Sequence, residues 1–82
     1  MVRSKIRQKL ENFLVEELEA NVSGLCRNIE SLRVKDWLDL YQLYSLCAWM
    51  EEEFGIVLKD EKILYVETFK DIVDIIYQKQ HH

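Results

Sequence analysis

Asp39-Leu40-Tyr41-Gln42-Leu43-Tyr44-Ser45-Leu46-Cys47-Ala48-Trp49-Met50-Glu51-Glu52-Glu53-Phe54-Gly55 contains a helix together with the signals that start and stop it. Asp39 is a good N-cap, because its carboxylate can accept from the free amides of a first turn. Leu40, Leu43, Tyr44, Cys47, Met50 and Phe54 then repeat at helical intervals of three and four. Gly55 suits the left-handed residue that closes a helix, with Ile56 folding back on it. The spacing predicts a helix over Leu40–Phe54.

Upstream, Ile6, Leu10, Phe13, Leu14 and Leu18 make one apolar stripe with Arg7, Lys9, Glu11 and Glu16 mostly off it. This predicts an amphipathic helix from about Ser4 to Glu19. Residues 20–38 have apolar side chains at Val22, Leu25, Ile29, Leu32, Val34 and Trp37 without a sustained period, and turn formers are spread among them. They read as a long first loop pinned to the core by its apolar residues, with room for a helical turn near Glu30 to Val34. A loop of that length is unusual in a small domain and points to function or to a missed element. Downstream, Ile56-Val57-Leu58 is too short to assign as a strand, and Asp60 can cap a brief helix through Leu64. Thr68 and Asp71 form a Thr-x-x-Asp capping pattern ahead of Phe69, Ile72, Val73 and Ile76, which predicts a last helix from Phe69 to about Gln78. Three main helices and one short one, with a long first loop, give an all-α four-helix bundle.

The 82 residues suffice for one small domain over 1–82, with 79–82 expected as a disordered tail and His81-His82 read as a tag remnant. Fifteen acidic against eleven basic residues leave a net charge of −4, which cannot assemble the basic face that nucleic acid demands. Arg3, Lys5, Arg7 and Lys9 read instead as a solvated helix face. Cys26 and Cys47 show no metal-ligand spacing and read as separate thiols in a reducing compartment. The apolar runs fall far short of the ~20 residues of a membrane span, and no signal-peptide pattern opens the chain. A cytoplasmic location is expected, and neither a metal site nor an enzyme active site is: there is no internal histidine, no phosphate-binding glycine loop and no Cys-His pair. The Glu51-Glu52-Glu53 run points its carboxylates in different directions and reads as a solvated helix end.

Together these residues resemble the acyl carrier protein, or phosphopantetheine-attachment, family. The correspondence runs without insertion from Asp39 to Tyr77. Family members carry Asp-Ser-Leu at the start of the second helix, an acidic run ending in Phe at its close, an Asp-Glu after a short extended piece, and a Thr opening the last helix. Asp39-Leu40-Tyr41, Glu51 to Phe54, Asp60-Glu61 and Thr68 take those places here. Less specifically, the first helix, the long loop and the Ser31-Leu32 pair also fit.

The resemblance implies an attachment serine at position 40, and leucine stands there. In the family that serine takes up phosphopantetheine at a helix start, where free amides and the helix dipole favour a phosphate. Sliding the signature to Asp36-Trp37-Leu38-Asp39 offers Trp37 and restores no hydroxyl. Ser45 lies five residues on, turned well away from position 40 at about 100° per residue, and Ser31 sits in the loop. No phosphopantetheine or other cofactor is therefore expected. The family's docking acids are also missing, because no acid lies between Asp39 and Glu51. Trp37, Leu40, Tyr41 and Trp49 are the expected partner-binding residues, since aromatic and aliphatic area is enriched at interfaces. Leu43, Leu46, Cys47 and Met50 are expected in the core. The resulting expectation is a non-catalytic, carrier-like interaction protein whose partner is a protein, such as an enzyme of lipid, polyketide or peptide biosynthesis, with self-association also open. Two alternatives stay open: a working carrier whose serine was replaced at Leu40 by engineering or error, and an unrelated helical bundle.

Overall fold

The computed structural model describes residues 2–16, 29–58 and 63–81, and within them the chain forms four α-helices and no strand. We number them α1 (Arg3–Glu16), α2 (Val34–Trp37), α3 (Leu40–Phe54) and α4 (Phe69–Gln80). Short 3-10 turns occupy Ile29–Ser31 and Ile63–Tyr65.

α1 buries Ile6, Leu10, Phe13 and Leu14, the stripe read from the sequence. The expected continuation of this helix through residues 17–19 lies outside the described residues. So do Cys26, the loop anchors Val22 and Leu25, and the expected cap Asp60. α4 buries Phe69, Ile72, Val73 and Ile76 completely and is the element against which α1, α3 and the Ile29 turn all pack. Burying four large side chains on a twelve-residue helix is worth about 1.5–3 kcal/mol apiece.

The start of α4 is built from local bonds. Asp71 folds its carboxylate back to accept from the backbone N–H of Thr68 (3.2 Å) and of Glu67 (3.0 Å), as the Thr-x-x-Asp pattern predicts. Its far end runs two residues beyond the expected Gln78, so Lys79 and Gln80 are helix rather than tail. The helix continues through Lys79 and Gln80, because neither glycine nor proline interrupts it and the His81 N–H still reaches the carbonyls of Tyr77 and Gln78.

The long loop is more structured than its sequence suggests. Val34 and Leu38, four residues apart, are both buried, and the backbone between them winds into α2. An antiparallel bridge pairs Arg33 with Thr68. Through it the Val34 N–H reaches the Glu67 carbonyl (2.8 Å), and the Phe69 N–H reaches the Leu32 carbonyl (3.1 Å). The end of the loop and the start of α4 are thus tied together, which fixes where α3 begins. After α3, Ile56 and Leu58 are buried and Val57 is exposed, and the Leu58 N–H is held by the Glu51 carboxylate at 3.0 Å. The Ile63–Tyr65 turn stands where a brief helix from Asp60 to Leu64 was expected.

Candidate functional site

The site begins with the cap of α3. The Asp39 backbone is extended (φ −84°, ψ −179°), and its carboxylate accepts from the Gln42 N–H at 2.8 Å. The Gln42 side-chain oxygen returns the bond, accepting from the Asp39 N–H at 2.9 Å. This reciprocal box satisfies one of the orphan amides of the helix start and sets the direction in which α3 leaves the loop. At the other end Gly55 adopts φ 64°, the left-handed closure read from the sequence.

Leu40 is the first residue inside that cap. Its side chain is 54% exposed, an unusual position for a leucine, and it edges an open cleft of about 200 Å³. Val34, Leu38, Leu43 and Val66 line the cleft with hydrocarbon, and Lys35 and Asp39 supply its polar rim. Tyr41 projects beside it at 82% exposure, Tyr44 follows one turn on, and Trp37 at the end of α2 is also exposed. The cap, the short α2 helix and the 34–67 backbone bond therefore gather Trp37, Leu40 and Tyr41 within two turns of chain.

Trp49 is not part of that group. Nine residues beyond Leu40 is half a revolution round the helix at about 100° per residue. Its ring is half-buried, stacked on Phe13 of α1 at 4.5 Å between centroids and set edge-on to Phe54 at 5.4 Å. Trp49 thus ties α1 to α3 at the opposite side of the molecule, where it lines a second cleft with Lys9, Phe13 and Glu53. Leu43, Leu46 and Met50 lie in the core as expected, and Cys47 is half-buried against it. Sequence reasoning missed the lining residues Val34, Leu38 and Val66 and the exposed Tyr65; the i, i+4 spacing of Val34 and Leu38 was the available signal.

Electrostatics separate the two ends of α3. No charged side chain lies on the helix before Glu51. Of the three carboxylates that follow, Glu51 holds the Leu58 amide and Glu53 pairs with Lys9 at 3.8 Å. Burial and, secondarily, the negative charge of Glu51 push the Cys47 thiol up from its ordinary value. Ser45 is exposed on the outward face of α3, about 140° round the helix from Leu40, and Ser31 closes the 3-10 turn. Among the described residues no group of three His, Cys, Asp or Glu side chains could hold a metal ion, and no helix is long and apolar enough to cross a membrane.

Comparison with known proteins gives one informative match. A curated protein named acyl carrier protein, from Coprothermobacter proteolyticus, is 36% identical over 77 residues, covering 93% of this chain and 92% of that protein. No protein-family model matches the chain, and no solved structure is significantly similar to it.

Proposed function

This chain belongs to the acyl carrier protein family, and from that premise we propose that it is a carrier-like interaction protein without an attached arm. It keeps the helical frame, performs no catalysis of its own, and binds a protein partner in a lipid, polyketide or peptide assembly pathway of the cytoplasm. Members of the family are carriers rather than catalysts, and the unrelated-bundle alternative falls with the match.

The observation that carries this reading is Leu40 at the first position of α3, immediately inside an intact Asp39–Gln42 capping box. This is the place of the family's attachment serine. Phosphopantetheine needs a hydroxyl oxygen there to attack the pyrophosphate of coenzyme A, and a leucine side chain offers only carbon and hydrogen. The residues therefore do not fit the group. Ser45 does not substitute, because its hydroxyl leaves the helix on another face.

The partner surface in this reading is Trp37, Leu40 and Tyr41, extended by Tyr44 and by the hydrocarbon-lined cleft. Trp49 supports it indirectly, by fixing α3 against α1 through Phe13. A partner here gains from buried aromatic and aliphatic area rather than from carboxylates. Incubation with coenzyme A and a broad-specificity phosphopantetheinyl transferase, followed by intact-mass measurement, tests the reading; a gain of one phosphopantetheine would overturn it.

One observation favours a second reading, a working carrier whose serine has been replaced. The exposure of Leu40 and the intact capping box leave room for serine with no rearrangement. The native gene at codon 40 decides between the two.

A further inference from the structure

We draw no further inference here: the strongest candidate, the open hydrocarbon-lined cleft between α2 and α3 bounded by Val34, Leu38, Leu43 and Val66 with Lys35 at its rim, belongs to the site already described, and nothing in the structure shows what covers it.

Discussion

Asp39, Gly55 and Cys47 each make a distinct residue-scale prediction. The Asp39 carboxylate and the Gln42 amide satisfy each other's backbone partners, so Asp39→Ala should cost about 1 kcal/mol and lower the thermal midpoint by roughly 4–8 °C, while Asp39→Asn should stay near wild type. Circular dichroism melts of the two variants check this. Gly55 has φ 64° and nothing within 4 Å of where a Cβ would sit. Gly55→Ala should therefore cost about 1–2 kcal/mol from the left-handed backbone alone, with Gly55→Asn less affected. The Cys47 thiol is raised by burial and by Glu51, which holds the folded chain's thiol neutral beyond the ordinary thiol range. That contribution to stability is fully present below the unfolded thiol's pKa and is lost as pH rises through the folded one. Alkylation of Cys47 at pH 8, followed by peptide mass analysis, should accordingly run slower than that of an unperturbed thiol. Leu40 and Tyr41 could be placed from sequence because a cap fixes the helix phase within one turn. Trp49 could not be sorted from them, because its partner Phe13 lies 36 positions earlier on another helix.

Among the elements, α3 was legible to the residue, since Asp39 and Gly55 act locally and the apolar repeat between them is unbroken. The start of α4 was legible for the same reason, with Asp71 bonding back over Thr68. Its end was not, because no stop signal marks it. α2 has four residues and no side-chain cap; it exists because Val34 and Leu38 are buried and because the backbone at Leu32 and Val34 bonds to Glu67 and Phe69. Such long-range support leaves no periodicity to read. It does make Phe69 the joint between loop and bundle, fully buried and bonded to the Leu32 carbonyl. Phe69→Ala should cost about 3–5 kcal/mol. That is a large share of the ~5–8 kcal/mol available to a chain of this size, so urea titration should show a midpoint far below that of the wild type.

At the scale of the whole molecule, the exposed ion pairs of Arg3 with Asp74, Lys70 with Asp74 and Lys9 with Glu53 contribute little. The buried faces of α1, α3 and α4 carry the structure. The sequence was most informative where a local signal and a family pattern coincided, from Asp39 to Tyr77, and least informative in the long loop. The frame of an acyl carrier protein with a hydrocarbon side chain at its attachment position is the central claim, and intact-mass measurement tests it most directly. The wild-type chain and a Leu40→Ser variant would each be incubated with coenzyme A and a broad-specificity phosphopantetheinyl transferase. The account predicts an unchanged mass for the wild type and a gain of one phosphopantetheine for Leu40→Ser; a gain of one phosphopantetheine on the wild-type chain would contradict it.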